Sequence, residues 1–216
     1  MNVLKKIATG LGILVVITAV LLGINILQKG CGGYKGQTMD QILGVPAVKA
    51  TPADIERLSR AQVVQLFHAA PVPDYNELNG EYKTKMVGGG ILSAGSKIYV
   101  TYLFGPGPWE GKAFSPKEKY GYNIFKRTKE GKEVYNRAKK MKTSIAQSRY
   151  DDKKSYLLDY SFYNGGLLFS MRDEIRKVNG TLYIAFGAMA ASGDTANPMP
   201  FILYGKPGKW VGPDEK

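Results

Sequence analysis

The stretch that most constrains this chain is Ile7 to Leu27, IATGLGILVVITAVLLGINIL: 21 residues without a charge, led in by Lys5 and Lys6 and followed by Lys29. As a helix rising ~1.5 Å per residue it reaches about 31 Å, enough to cross a hydrocarbon core of ~30 Å. It reads as a retained transmembrane anchor over residues 1–28. The alternative is a cleaved signal peptide, whose apolar core usually runs ~7–15 residues to a small-x-small site. Here the core is longer and no Ala-x-Ala follows it. Cys31 is preceded by Gln28-Lys29-Gly30, unlike the Leu-Ala-Gly-Cys pattern of lipoprotein sites.

Ala8, Gly12, Ala19 and Gly23 form two small-xxx-small pairs. At ~100° per residue they fall in one stripe about 60° wide, a surface on which another helix can pack closely. Small residues are also simply common in membrane helices. Lys5 and Lys6 against Lys29 and Lys35 give a narrow margin for a cytoplasmic amino terminus. The expected location is a bacterial inner membrane, single-pass, with the main domain in the periplasm.

About 185 residues follow the anchor, enough for one domain with a real core. The expected division is a linker over 29–50, rich in glycine (GCGGYKG) and then irregular, a folded domain over 51–205, and a tail over 206–216. One cysteine excludes an internal disulfide, and with no CxxC pair and one histidine, zinc ribbons, covalent c-type haem and histidine-rich metal sites are excluded. No metal or cofactor is expected. His68 ends an amphipathic segment and is expected to have a surface or capping role.

The formal charge of +12 is concentrated in 126–142, KRTKEGKEVYNRAKKMK. Lys126, Arg127, Lys129, Lys132, Arg137, Lys139, Lys140 and Lys142 stand there against two acids, a net +6. This reads as a solvated hairpin or loop, or as a basic patch for anionic headgroups or an acidic protein, each cation near such a membrane contributing ~1 kcal/mol. Nucleic acid is not an expected partner of an anchored domain outside the cytoplasm.

Thr51-Pro52 opens a helix with an N-cap and a proline in its first turn, and Ser59 and Gln62 have capping-box spacing, which predicts two short helices meeting near Leu58. Pro71 and Pro73 stop them. Beyond Asp74 come short extended segments: 80–87, 98–104, 120–127, 142–150, 156–163, 167–175, 181–189 and 200–204, with Asn179-Gly180 the strongest hairpin signal. About eight antiparallel strands after a helical segment predict a mainly β fold, a barrel or strongly curved sheet. Strands that are apolar on both faces must be covered twice.

The most specific local stretch is Gly107-Pro108-Trp109-Glu110-Gly111-Lys112-Ala113-Phe114. With the preceding LFHAAPVPDYNELNGEY and the following LDYSFYNGGLLFSMRDEIRKVNGTLYIAFGAM, it resembles bacterial GXWXG-type domains over roughly 59–204. The first family motif reads Gly80-Glu81-Tyr82-Lys83-Thr84 here, with Tyr82 for tryptophan and Thr84 for the second glycine. The resemblance implies a lipocalin-like β-barrel of about eight strands, and no particular activity.

Asp173 and Glu174 are neighbours on a predicted strand, so they point to opposite faces and form no catalytic pair. They read as surface charges or as ion-pair partners of a neighbouring strand. Arg149, Asp159 and Arg172 read as structural salt bridges, or as polar heads pointing into a cavity. No phosphate loop, G-x-S-x-G elbow, HExxH or acidic metal cluster occurs, and an enzyme is not expected. The expected function is non-catalytic and takes one of two forms. One is binding of a lipid or other apolar or amphipathic small molecule, lined by Tyr82, Tyr99, Tyr102, Trp109, Tyr122, Arg149 and Tyr160. The other is an accessory subunit of a membrane complex, packing through its helix. A barrel solidly filled by its own side chains would sink the first form.

Overall fold

The computed structural model describes residues 2–27, 33–90 and 93–214, so Lys29 and Cys31 lie outside the described residues. Helix α1 (Asn2–Leu27) contains a span, Lys5–Leu27, long and apolar enough to cross a membrane; a signal sequence passes the same test. Thr18 donates its hydroxyl to the Leu14 carbonyl at 2.8 Å, which satisfies the polar group within the helix. Open space lies beyond Gly12 and Gly23 of the small-residue stripe among the described residues. Towards its carboxyl end α1 meets the domain: Asn25 is buried, and its Nδ2 donates to Asn197 Oδ1 at 2.5 Å.

Residues 39–50 belong to the folded domain and not to a linker. Thr38 and Gln41 form a full capping box that starts α2 (Met39–Leu43), and Gly44, with φ 69°, ends it. Ile42, Leu43, Ala47 and Ala50 are buried with Ile55, Val63, Val64, Leu66 and Phe67. The last group belongs to α3 (Pro52–Glu56) and α4 (Arg60–Ala69), which meet near Leu58; Ser59 and Gln62 cap α4 reciprocally.

Eight antiparallel strands follow: β1 (Gly80–Met86), β2 (Trp109–Ser115), β3 (Tyr120–Lys129), β4 (Lys132–Gln147), β5 (Lys154–Asp159), β6 (Arg172–Asn179), β7 (Leu182–Ala188) and β8 (Met199–Gly208). Each pairs with the next in sequence and β8 returns to β1, so the sheet closes in a ring without open edges. All of β7 is buried. Its Tyr183 and Ala185 face the interior cluster, while Leu182, Ile184 and Phe186 pack against the helices, Phe67 stacking on Phe186 with ring centroids 3.9 Å apart. The strands apolar on both faces are thus covered twice.

Two segments differ from the strand pattern. Residues 98–104 are helical: α5 (Ser93–Ile98) runs into one wide helical turn, Tyr99–Leu103, closed by the Phe104 amide on the Tyr99 carbonyl at 2.9 Å. The place of this aromatic run in the ring is taken by β2, and Gly105-Pro106-Gly107-Pro108 turns the chain into it. Residues 166–170 form a 3-10 turn before β6. The expected carboxyl tail is also built in: β8 continues to Gly208, Trp210 lies on Tyr122 with centroids 4.7 Å apart, and the Asp214 amide donates to the Arg137 carbonyl.

Candidate functional site at the lidded rim

One end of the ring is bordered by the connections 87–108, 130–131, 160–171 and 189–198. The first of these folds across the opening as a lid of α5 and the Tyr99–Leu103 turn. Phe104 is its plug: a buried ring set edge-on to Trp109, Phe125 and Tyr160, with centroids 5.4–6.4 Å away. Gly105 must follow it, because a Cβ there would sit 2.3 Å from the Phe125 ring.

Beneath the plug is a buried polar cluster. Lys112 points inward from β2, where the alternation of the strand also turns Phe114 inward. Its Nζ lies 2.8 Å from Asp173 Oδ2, and both side chains are essentially inaccessible to solvent. The ammonium also donates to Asn123 Oδ1 at 2.8 Å and to the Tyr160 hydroxyl at 2.5 Å, using all three of its donors. Tyr160 in turn donates to Asp173 Oδ2 at 3.1 Å, and Trp109 Nε1 donates to Asn123 Oδ1 at 3.0 Å. Asn123 Nδ2 donates to the Lys139 carbonyl at 3.0 Å, which a register shift between β3 and β4 turns inward; Lys139 has φ 58°. The Trp109, Tyr160 and Phe201 rings lie 5.2–5.3 Å from the ammonium and add cation–π attraction.

Burial lowers the Lys112 pKa from its ordinary value, opposed by the charge and hydrogen bond of Asp173. Burial likewise pushes the Tyr160 phenol well up, and the Asp173 charge adds to this. Asp173 Oδ1 has no hydrogen-bond partner among the described residues. It borders a space of about 20 Å³ under Tyr99, Val100 and Phe104, room for about one water. The interior is otherwise filled by its own side chains, among them Tyr82, Phe114, Tyr156, Tyr183 and Leu203. Open space lies at the rim: a groove of about 860 Å³ between the lid (Tyr99, Leu103, Phe104) and the 166–170 turn (Leu167, Leu168), with Asn136 and Lys139 as its polar members.

The structure brings three of the expected lining residues together: Tyr99 in the lid, with Trp109 and Tyr160 below it. Tyr82 is deeper in the ring, edge-on to Tyr183. Tyr102 is exposed on the lid. Tyr122 is on the outer face, its hydroxyl donating to Glu81 at 2.7 Å and its pKa raised to about 12, by burial first and then by that bond. Arg149 is also outside, paired with Asp194. The basic segment is the β3–β4 hairpin, turned by Glu130 and Gly131, both at positive φ. Within it Arg137 is paired with Glu81, and Lys140 and Lys142 lie over the rings of Tyr163 and Phe162.

Asp173 and Glu174 do point to opposite faces, but neither is a surface charge. Asp173 meets Lys112 inside the ring, and Glu174 accepts from Ser148 Oγ and the Arg149 amide outside it. His68 is buried as well, its Nδ1 2.9 Å from Asp151 Oδ2. The fully buried Arg176 grips the same carboxylate. Burial raises the Asp151 pKa, but the hydrogen bonds from Arg176 and His68 outweigh it and bring it to about 2. This trio clamps the 148–153 loop to α4 under the helices. Lys112 and Asn123 were missed in the sequence; the available signal was a lysine on the same strand face as Phe114. Among the described residues no group of three or more His, Cys, Asp and Glu side chains could hold a metal ion.

The fold and site define a mainly β protein, an eight-stranded antiparallel ring with helices on one flank and an apolar amino-terminal helix. No protein-family model and no curated protein matches the chain. A crystal structure of a protein from Thermomonospora curvata is similar at a TM-score of 0.49 and 18% identity, over 71% of this chain and 92% of that one. At that distance the likeness says nothing of activity.

Proposed function

We propose that the chain is a membrane-anchored, non-catalytic binding protein of lipocalin-like build that holds an apolar or amphipathic small molecule at its lidded rim. In this reading α1 spans a bacterial inner membrane and the domain lies in the periplasm. The observation that carries it is the rim groove of about 860 Å³, walled by apolar side chains with Asn136 and Lys139 beside them. Such a combination suits an apolar body with a polar or anionic end. The filled interior sinks the pocket inside the barrel that the sequence led us to expect, so this reading places the ligand at the rim instead. The order of helices, a Gly80-x-Tyr82 strand and a Trp109-x-Gly111-Lys112-x-Phe114 strand supports kinship with GXWXG-type domains.

Native mass spectrometry of the full chain in mild detergent tests this. The expected spectrum carries a bound amphiphile that Leu103→Glu with Leu167→Glu removes; an adduct-free chain, or one unchanged in the variant, contradicts it. A second reading, the accessory subunit, is favoured by the small-residue stripe of α1, beyond whose glycines lies open space. Co-migration with fixed partners that Gly12→Ile abolishes supports that reading, and a lone monomer opposes it.

A further inference from the structure

The lidded rim carries an apolar surface that is exposed among the described residues. Ile98, Tyr102 and Leu103 on the lid are 55%, 74% and 71% exposed, and Leu167 and Phe169 on the adjoining turn are 62% and 60% exposed. Five such side chains on one rim mark a contact surface. What covers them is indicated by where α1 meets the domain. Thr18, Leu22 and Asn25 of α1 line one crevice of about 230 Å³ together with Gly95 and Tyr99 of the lid. A Cβ placed on Gly193 of the 189–198 connection would lie 3.8 Å from the Leu22 methyls. At ~1.5 Å per residue, Leu22 is about 7.5 Å and Thr18 about 13.5 Å inside the end of the apolar span at Leu27. The lid therefore faces α1 across this crevice at a depth that, with α1 as a membrane span, belongs to the bilayer.

The charge pattern at the same end agrees. Pairing of β3 with β2 stops at Phe125↔Trp109, and pairing of β4 with β5 begins only at Lys142. Beyond the Lys126 amide, which donates to the Pro108 carbonyl at 2.8 Å, β3 and β4 pair with each other in a two-stranded ribbon projecting past the rim on the lid side, with exposed Lys129 and Lys132 at its tip. Cations beside an apolar surface match anionic headgroups above lipid tails.

We infer that the rim is a second membrane contact: the lid and the 166–170 turn dip into the outer leaflet of the bilayer that α1 crosses, with the basic ribbon tip on its headgroups. The groove of the proposed function then opens sideways into lipid, and its ligand enters from the membrane without crossing water. This rests on the reading of α1 as a membrane span.

The test uses the full chain with Cys31→Ser and single cysteines at Tyr102, Phe169, Leu14 and Lys117, the last at the opposite end of the ring. Each is nitroxide-labelled and reconstituted in nanodiscs of phosphatidylcholine and phosphatidylglycerol, and its access to oxygen and to a water-soluble nickel chelate is measured. The expected result is an oxygen-to-chelate ratio at 102 and 169 several-fold above that at 117 and close to that at 14. Labels at 102 and 169 that match 117 while 14 reports lipid overturn the inference and leave the anchor standing. Shielding from both reagents overturns it too, because a second protein then covers the rim. A water-exposed label at 14 removes the anchor and the inference with it.

Discussion

Replacing Lys112 with methionine leaves the Asp173 carboxylate inside the ring with the Tyr160 hydroxyl as its one remaining donor. Breaking a buried ion pair from one side costs about 3–5 kcal/mol, because the surviving charge stays desolvated. Asp173→Leu should cost a similar amount, leaving the ammonium with the neutral oxygens of Asn123 and Tyr160. The double variant removes both charges, and well-packed apolar replacements of buried pairs are often neutral or stabilising by about 1–4 kcal/mol. The singles then sum to about 6–10 kcal/mol while the double lies near wild type, a large interaction energy in a double-mutant cycle.

The assay is thermal and urea unfolding of the full chain in nanodiscs, followed by the fluorescence of Trp109, whose indole belongs to the cluster. At about 2–4 °C per kcal/mol for a domain of this size, each single variant should lower Tm by about 6–20 °C. Single variants within about 1 kcal/mol of wild type, or a double as costly as the sum, would refute the reasoning.

Asp151, with its pKa brought down to about 2, contributes on the order of 2 kcal/mol of stability above pH ~4, lost as the pH falls towards 2. Acid unfolding monitored by circular dichroism should lose that limb in Asp151→Asn. Gly121→Ala would place a Cβ 2.2 Å from the Ala113 carbonyl oxygen, backbone that cannot step aside. It should cost about 1–3 kcal/mol or more in urea unfolding, whereas Gly180→Ala, with open space around it, should stay within about 0.5 kcal/mol. Ser59→Ala removes the cap of α4 and should cost about 1 kcal/mol, restored in large part by Ser59→Asp.

Local chemistry made much of the fold legible. The Ser59/Gln62 capping box and the Thr51-Pro52 start mark α3 and α4 where they stand, and the 179–182 hairpin follows its Asn-Gly signal. The Thr38/Gln41 box was hidden by the glycines ahead of it, so α2 read as linker. Residues 98–104 show propensity losing to tertiary context: seven strand-favouring residues become the lid because the ring closes through β2. The cluster was only half legible. Trp109 and Tyr160 were named, but Lys112 stood only as part of the Trp-x-Gly-Lys-x-Phe run and Asp173 as a surface charge or an ion-pair partner of a neighbouring strand, whereas closure of the ring brings the two together across it at 2.8 Å. Alternation placed Asp173 and Glu174 on opposite faces and could not tell that both faces are covered.

Everything proposed for the rim depends on α1 staying attached, and the intact mass of the chain in alkali-washed membranes tests that most directly. The account predicts a membrane-bound species whose mass still includes the Ile7 to Leu27 segment. A species recovered from the soluble fraction and lacking roughly the first thirty residues, as a signal peptidase would leave it, would contradict it.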